Sequence, residues 1–287
     1  MCSSDLDERV AADDVARQAN HLVGTGVTAV GVGFGSDIDV MFVFEPRSGV
    51  DETTATRAAT SIAEELRRLL MAPSGDPPLD IDADLRPEGK QGPLVRSLGS
   101  YAKYYERWSS TWEAQALLRA AFVAGDQVLG DRFLSLVDPL RWSGALAADE
   151  LTEVRRLKAR MESERLPRGA DPSLHTKLGR GGLSDVEWVV QMLQMQHAGE
   201  CADLRTPRTL EALESARSAA LISDRDADEL AASWRMATAI RNAVMLVRGR
   251  PSDMVPTDAR ELRAVAFVLG YPLGESGRMV DDYKRTT

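Results

Sequence analysis

Residues 35–46 read GSDIDVMFVFEP, and this stretch decides the fold class. A Gly-Ser pair leads into Asp37 and Asp39, and the apolar run over residues 40–44 follows at once. A short run that is apolar throughout is typical of a central strand buried on both faces. Because side chains two residues apart on an extended backbone point to the same side, the two carboxylates are predicted to lie together.

A second acidic segment, LDIDADL at residues 79–85, alternates apolar and acidic side chains. Alternation with period two predicts a strand that carries Asp80, Asp82 and Asp84 on one face, although aspartate is depleted in strands. Two carboxylates about 4 Å apart repel by roughly 4 kcal/mol at an effective dielectric near 20. Either protonation or a cation must offset that repulsion, and Mg²⁺ is often shared between carboxylates and substrate phosphates. The alternative is an acidic edge strand whose side chains are only solvated.

The remaining elements are predicted from the spacing of apolar residues. A helix over residues 7–21 and a strand over 27–32 precede the central strand, and a helix over 54–70 follows it. After residue 94 every predicted element is a helix: 112–124, 151–166, 183–197, 209–219, 224–246 and 259–269. Strands followed by helices are typical of an α+β domain joined to an all-α domain. We place the boundary near Pro139–Gly144 and expect domains at residues 1–140 and 141–287.

The bulk composition excludes several classes of protein. The 287 residues carry a formal net charge of −9, which argues against a general nucleic-acid binder. No apolar run is long enough to span a bilayer, and the first residues lack the apolar core of a signal peptide. Cys2 and Cys201 form neither a disulfide framework nor a zinc pattern, so a cytoplasmic location is expected. The opening MCSSDL and the abrupt polar end indicate that both termini are fragment ends.

Three further groups of side chains are given structural interpretations. An aromatic stripe at helical spacing is predicted to pack in the core rather than to stack on a base: Tyr101, Tyr104, Tyr105 and Trp108. The segment GRGGLSD, residues 179–185, is predicted to begin a helix, with Lys177 and Arg180 facing an active cleft as the alternative. Opposite charges four residues apart predict the ion pairs Lys158–Glu162 and Arg160–Glu164. His21, His175 and His197 show no metal-ligand spacing.

The motif at residues 35–43 resembles the GSDxD signature of polymerase-beta-like nucleotidyltransferases. The longer segment GSDIDVMFVFEP is similar to the adenylylating half of glutamine synthetase adenylyltransferases, and its sequence is most similar to that of actinobacterial members. Other segments agree with that family in the same order: residues 80–108, 111–126, 155–169 and 175–191. The resemblance implies a nucleotidyltransferase domain, with a small mixed sheet and helices, followed by a helical bundle of the adenylyltransferase/PII-uridylyltransferase type that is truncated at its C-terminus.

The resemblance also implies a reaction and the residues for it. Family members transfer AMP from ATP to a tyrosine of glutamine synthetase and release pyrophosphate, and PII-type signal proteins and glutamine regulate them. Three carboxylates are implied as catalytic Mg²⁺ ligands: Asp37, Asp39 and Asp82. Four residues are assigned to the nucleotide: Gly35 and Ser36 in the turn, and Arg86 and Lys90, whose charges suit a triphosphate. For Arg86, pairing with Asp84 is the alternative. The expected partners include neither nucleic acid nor a membrane.

One departure from the family pattern keeps other functions open. Family members carry a longer stretch of the form GxGxxGGxExxYGSD, whereas here Val32-Gly33-Phe34 runs directly into Gly35. Roughly eight residues that would cradle phosphates with backbone N–H groups are absent. The alternatives are the adenylyl-removing half, a PII uridylyltransferase, or a regulatory binding module with weakened catalysis. A generic acidic helical scaffold does not explain the ordered motifs.

Overall fold

The computed structural model describes residues 23–30, 38–72, 79–144 and 146–287. These residues form two compact units that divide between Arg141 and Trp142. The first unit contains a sheet and helices and the second consists of helices, so the expected α+β class is confirmed. We call them the sheet unit and the helical unit. The helix predicted over residues 7–21 lies outside the described residues.

A five-stranded mixed sheet organises the first unit. Its strands are β1 (Val23–Val30), β2 (Ile38–Pro46), β3 (Ile81–Asp82), β4 (Val95–Ser97) and β5 (Ala120–Gly125). β1 lies antiparallel to β2 on one side and to β5 on the other. On its other edge, β2 pairs in parallel with two short strands: with β3 through residues 38–39 and with β4 through residues 42–44.

Helices cover the two faces of this sheet. They are α1 (Glu52–Met71), α2 (Leu98–Trp108), α3 (Thr111–Leu117) and α4 (Gln127–Arg141). α1 begins after Asp51, whose carboxylate accepts the Thr54 N–H at 3.0 Å and so satisfies a donor at the helix N-terminus. The predicted helix over residues 54–70 is thereby confirmed with slightly wider bounds.

Strand β2 is buried on both faces, as its apolar run predicts. Its even-numbered residues from Val40 to Phe44 pack on one face, against small residues of α1: Ala55, Ala59 and Ala63. Its odd-numbered residues Met41 and Val43 pack on the other face, where the core includes Tyr101 of α2 and Phe133 of α4. Residues 40–44 are all buried, whereas Ile38 and Asp39 before them are half-buried. The strand therefore emerges from the core at its N-terminal end.

The predicted acidic strand over residues 79–85 was wrong in length, because only Ile81–Asp82 is a strand. The Asp82 carboxylate accepts the Asp84 N–H at 2.7 Å, a local bond that competes with strand pairing. Ala83 still packs on the same core face as Ile81, but Leu85 packs on the opposite face. The turn therefore ends the alternation that the sequence suggested.

The helix predicted over residues 112–124 was also wrong. α3 ends at Leu117, and Ala120–Gly125 forms β5 against β1. β4 was missed as well, because residues after 94 were expected to be helical. In both places pairing with a strand distant in sequence overrides a local apolar pattern. Gly130 of α4 packs close to β5, since a Cβ there would lie 2.2 Å from the Phe122 ring.

The helical unit contains six helices within the described residues. They are α5 (Ala148–Arg165), α6 (Leu183–His197), α7 (Thr209–Ser218), α8 (Asp224–Arg248), α9 (Ala259–Val268) and α10 (Ser276–Thr286). The five predicted helices after residue 150 are confirmed to within three residues at each end, and α10 was not predicted. α8 supplies the centre of the core through Ile240 and Val244, against which Met279 and Tyr283 of α10 pack.

The structure also tests the smaller structural predictions. Lys158 pairs with Glu162, and Arg160 pairs with Glu164 at 3.7 Å, as the spacing predicts. Within the aromatic stripe Tyr101 and Tyr105 are buried, as expected, and Tyr104 is half-buried. Trp108 was expected in the core but is 70% exposed, because it lies on the solvent side of the last turn of α2.

Candidate functional site

Asp39 and Asp82 are brought together by the parallel pairing of β2 with β3. The register places Asp39 opposite Asp82 and Ile38 opposite Ile81. Neighbouring strands lie about 4.8 Å apart, so the two carboxylates start from adjacent positions. Both side chains are half-buried, at the end of β2 that leaves the core.

The two carboxylates lie on the same face of the sheet. Asp39 shares its parity with Met41 and Val43, which pack with α2 and α4. Ile81 belongs to the opposite core, on the α1 side, so its neighbour Asp82 projects to the face that carries Asp39. Asp37, two residues before Asp39, lies outside the described residues, as do Gly35 and Ser36. Within the described ranges, no group of three or more metal-ligating side chains could hold a metal ion.

The loop after β3 is held by the side chain of Arg86, and we call residues 83–92 the arginine loop. The Arg86 guanidinium donates to the Ala83 carbonyl at 2.7 Å and to the Gly92 carbonyl at 3.1 Å. It also lies 3.5 Å from the Asp84 carboxylate. The Arg86 side chain is only 11% exposed, so most of it serves the loop itself.

The remaining charges of the arginine loop have different environments. Lys90 is 82% exposed, and its Nζ lies 3.3 Å from the Asp84 carboxylate. Glu88 adopts a left-handed backbone, with φ 66°, and its carboxylate accepts a bond from Arg96. Gly92 permits a close approach of the backbone, since a Cβ there would lie 2.2 Å from the Pro87 carbonyl oxygen. The loop is therefore rigid, and Lys90 is its solvent-facing cation.

The predicted nucleotide ligands Arg86 and Lys90 thus occupy unlike positions. Arg86 forms the alternative pair with Asp84, together with two carbonyl bonds, and Lys90 reaches solvent. Asp84 is half-buried between these two cations, and Asp80 is exposed. Of the acidic segment, only Asp82 lies in register with Asp39.

A buried carboxylate near the same face was missed by sequence reasoning. Glu113 of α3 is 4% exposed, and it lines a small internal space with Met41, Leu85 and Tyr105. It accepts the Tyr104 hydroxyl at 2.9 Å and the Ser110 N–H at 3.0 Å. Burial raises the pKa of Tyr104 to about 12, and the hydrogen bond to Glu113 contributes to this rise as the second-largest cause. The Ser-x-x-Glu spacing is the available signal, because it is typical of a helix capping box.

In the helical unit, the segment of residues 175–185 forms a second tight loop, which we call the glycine loop. His175 is buried, and its Nδ1 accepts the N–H groups of Lys177 at 3.3 Å and Leu178 at 3.0 Å. The Asp185 carboxylate accepts the Gly181 N–H at 2.8 Å and pairs with Lys158 of α5 at 2.5 Å. α6 begins at Leu183, so the predicted helix start is confirmed.

The two units match two described families of nucleotidyltransferases. Residues 3–136 match the family described as Glutamate-ammonia ligase adenylyltransferase. Residues 153–287 match the family described as GlnD PII-uridylyltransferase. Together the two matches cover the sheet unit and the helical unit, in the order in which the motifs occur along the chain.

Comparison with individual proteins identifies relatives within this class of nucleotidyltransferases. The chain is 62% identical over 257 residues to a bifunctional glutamine synthetase adenylyltransferase/adenylyl-removing enzyme of Streptomyces avermitilis, covering 89% of this chain and 26% of that protein. The protein of the same description from Mycobacterium tuberculosis H37Rv is 53% identical over 277 residues, covering 96% of this chain and 28% of the relative. The chain is therefore similar over most of its length to bifunctional glutamine synthetase adenylyltransferase/adenylyl-removing enzymes, which are nucleotidyltransferases. It spans about a quarter of the length of the curated relatives that it matches.

None of the helices in the described part of the chain is long and apolar enough to cross a membrane.

Proposed function

We propose that this chain carries an adenylyltransferase site, which moves AMP from ATP to a tyrosine of glutamine synthetase and releases pyrophosphate. The observation that carries the proposal is the register pairing of Asp39 with Asp82 at the open end of β2. The descriptions of the relatives name this activity alongside adenylyl removal. The sequence of the motif at residues 35–46 favours the adenylylating half over the adenylyl-removing half.

The donor set of this site suits Mg²⁺. Two carboxylates on neighbouring strands supply hard oxygen ligands, and Asp37 is the proposed third, two residues before Asp39. Asp82 is held in one orientation by the N–H of Asp84, which prepares one ligand in advance. When bound, Mg²⁺ would neutralise the triphosphate and polarise the phosphorus–oxygen bonds at the reacting phosphate.

The reaction needs little chemistry from the protein beyond orientation and charge. The tyrosine oxygen attacks the α-phosphorus and gives up its proton to solvent, the bond to the pyrophosphate oxygen breaks, and pyrophosphate leaves. Because the acceptor hydroxyl comes from the partner protein, this chain supplies no nucleophile. Asp39 and Asp82 would hold the cation that meets the α-phosphate, and the buried residues after Asp39 fix the strand that carries Asp39.

Lys90 is the proposed contact to the outer phosphates, and Arg86 acts by positioning the loop that carries it. Lys90 is exposed, and its present partner Asp84 is half-exposed, so an incoming triphosphate competes for the ammonium group. Arg86 is nearly buried and already bonds two carbonyl groups. Gly35 and Ser36 remain proposed phosphate contacts.

The test is transfer of AMP from α-labelled ATP to purified glutamine synthetase, with Mg²⁺ and with EDTA. Labelling should depend on Mg²⁺, and Asp39→Asn or Asp82→Asn should each lower the rate on the order of 100-fold or more. Asp80→Asn is the matched control, because Asp80 belongs to the same acidic segment but is exposed and out of register. Circular dichroism should show all three variants folded.

The direction of the reaction needs a separate measurement. Incubating adenylylated synthetase with this chain and phosphate should release no ADP if the adenylylating assignment is right. Phosphate-dependent release of ADP would instead identify the adenylyl-removing half. Absence of both reactions in a folded chain would favour the regulatory binding module.

A PII-type signal protein is the proposed regulatory partner. The observation behind it is that residues 153–287 match a family described by PII uridylyltransfer. Copurification of a PII-type protein with this chain, tested with and without ATP, would examine that partnership independently of catalysis.

A further inference from the structure

A cavity of about 350 Å³ lies within the helical unit. Residues from the end of α5, the start of the glycine loop and the segment before α9 form its wall. The last two segments are joined by backbone bonds from Thr176 N–H to Asp253 and from Val255 N–H to Leu174, at 2.7 and 2.9 Å. Two paired backbone segments therefore hold this part of the cavity in a fixed shape.

His175 provides a buried hydrogen-bond donor in the cavity wall. The residue is 3% exposed, and its Nδ1 accepts two backbone N–H groups, from Lys177 and Leu178. A neutral imidazole whose Nδ1 is an acceptor carries its hydrogen on Nε2. Burial lowers the pKa of His175 and so favours this neutral form. Nε2 has no hydrogen-bond partner within the described residues, and His175 lines the cavity.

The charges around the cavity are positive in sum. Arg165 and Lys177 line it, and neither has a carboxylate within ion-pair distance in the described part of the chain. Asp253 also lines it, but its carboxylate is bound by Arg241 at 2.6 Å. The local balance is therefore two positive charges, in a chain whose net charge is −9.

The rest of the wall is apolar, apart from one hydroxyl. Met161, Pro167, Leu178 and Met254 give hydrocarbon and thioether surface. The Ser252 hydroxyl oxygen accepts the Met254 N–H at 3.2 Å, so its own hydrogen can be donated into the cavity. A cavity of this size is in the range that holds small organic ligands, and it is larger than an inorganic anion requires.

We propose that this cavity binds a small phosphate monoester, whose dianionic head meets Arg165, Lys177 and the His175 Nε2–H and whose organic part lies on the apolar wall. Two cations balance a dianion, whereas a monocarboxylate would leave one of them uncompensated. A guanidinium and an ammonium group are both strong donors to phosphate oxygens. All residues that line this cavity belong to the helical unit, whereas Asp39 and Asp82 belong to the sheet unit, so the proposal goes beyond the transfer reaction.

The test is isothermal titration of the 287-residue chain with phenyl phosphate, inorganic phosphate and succinate. Phenyl phosphate should bind more tightly than inorganic phosphate, because only the ester reaches the apolar wall, and more tightly than the dicarboxylate. Lys177→Gln and Arg165→Gln should each weaken phenyl phosphate binding about tenfold or more. Arg168→Gln is the control, because Arg168 is an exposed cation of the same segment that does not line the cavity.

A further variant tests the histidine without dismantling the loop. The Asn oxygen of His175→Asn can replace Nδ1 as acceptor for the two N–H groups, but the variant lacks the Nε2–H donor. It should therefore fold normally and bind phenyl phosphate more weakly. Equal effects of Lys177→Gln and Arg168→Gln, tighter binding of succinate, or no saturable binding of phenyl phosphate would each overturn the proposal. Unchanged binding in Asp39→Asn would separate this site from the transfer site.

Discussion

The arginine loop of the sheet unit is held by a side chain that donates hydrogen bonds, whereas the glycine loop of the helical unit is held by side chains that accept them. In the first, the Arg86 guanidinium donates to carbonyl groups at both ends of the loop. In the second, His175 Nδ1 and the Asp185 carboxylate accept backbone N–H groups. The difference follows from what each loop leaves unpaired. A turn after a strand leaves carbonyl oxygens, whereas the entry to a helix leaves N–H groups.

This comparison shows how charged residues in glycine-rich loops can be interpreted. Arg86 was predicted as a nucleotide contact, but most of its donors are bound within its own loop, as is the carboxylate of Asp185. The side chains that remain for ligands are their neighbours Lys90 and Lys177. Four experiments test this difference between the two loops.

The largest effect is expected from Gly179→Ala in the glycine loop. A Cβ at this position would lie 2.2 Å from the Pro172 carbonyl oxygen and 2.4 Å from that of His175, and both are backbone atoms. We expect a loss of about 3 kcal/mol in the free energy of unfolding, measured by urea denaturation. Gly99→Ala is the control, because nothing lies within 4 Å of its Cβ position, in α2. It should stay within about 1 kcal/mol of wild type. A tolerated Gly179→Ala would mean that this loop is less confined than described.

A smaller loss is expected from Arg86→Met in the arginine loop. The change keeps the buried stem but removes the donors to the Ala83 and Gly92 carbonyls. Unfolding free energy should fall by about 2 kcal/mol, since partly buried acceptors lose charged donors. Arg86→Lys should recover little of it, because one ammonium group cannot reproduce the planar fork. Full recovery by lysine would show that charge alone holds the loop.

Asp185→Asn should cost about 1 kcal/mol, less than Arg86→Met. The Asn oxygen can still accept the Gly181 N–H, and only the charge that faces Lys158 is lost. Chemical denaturation at low and high salt measures it, because screening should reduce the difference from wild type. Asp203→Asn, at an exposed acid outside the loop, is the neutral comparison. A loss as large as that of Arg86→Met would remove the asymmetry between the loops.

The smallest effect is a pH dependence confined to the glycine loop. Burial lowers the pKa of His175, against the nearby charge of Asp253 and with that of Lys177. The folded-state pKa thus lies below the unfolded value of about 6.5. The stabilisation is complete above that value and is lost as pH falls through the folded pKa. Hydrogen exchange of the Lys177 and Leu178 amides should accelerate relative to the arginine loop between neutral and mildly acid pH, and His175→Asn should abolish this change.

The central strand and most helices could be predicted from the sequence because local pattern and burial agree there. Residues 40–44 are apolar throughout, and β2 is buried on both faces. The helix prediction failed at residues 120–125 for the opposite reason. The sequence AAFVAG continues an apolar pattern, and only its pairing with β1 makes it a strand. Propensity carries little information where the partner is about a hundred residues away.

In the candidate site, too, some residues could be identified from the sequence, whereas the roles of others depend on the folded structure. Asp39 and Asp82 were selected by motif, and the register of β2 with β3 places them side by side. The role of Arg86 depends on which carbonyls the turn leaves unpaired, and no spacing rule gives that. His175 was interpreted as ordinary because isolated histidines carry no pattern, and its importance follows only from burial and from the backbone that surrounds it.

The pairing of β1 with β5 has a consequence for how the chain folds. Residues 23–30 must wait for residues 120–125 before the sheet is complete, and closing so long a loop costs entropy that local contacts do not recover at once. During synthesis, one edge of β1 therefore remains open while nearly a hundred further residues emerge. Open strand edges pair with other chains, so nascent copies are at risk of aggregation, and slower translation after residue 125 would give this sheet time to close.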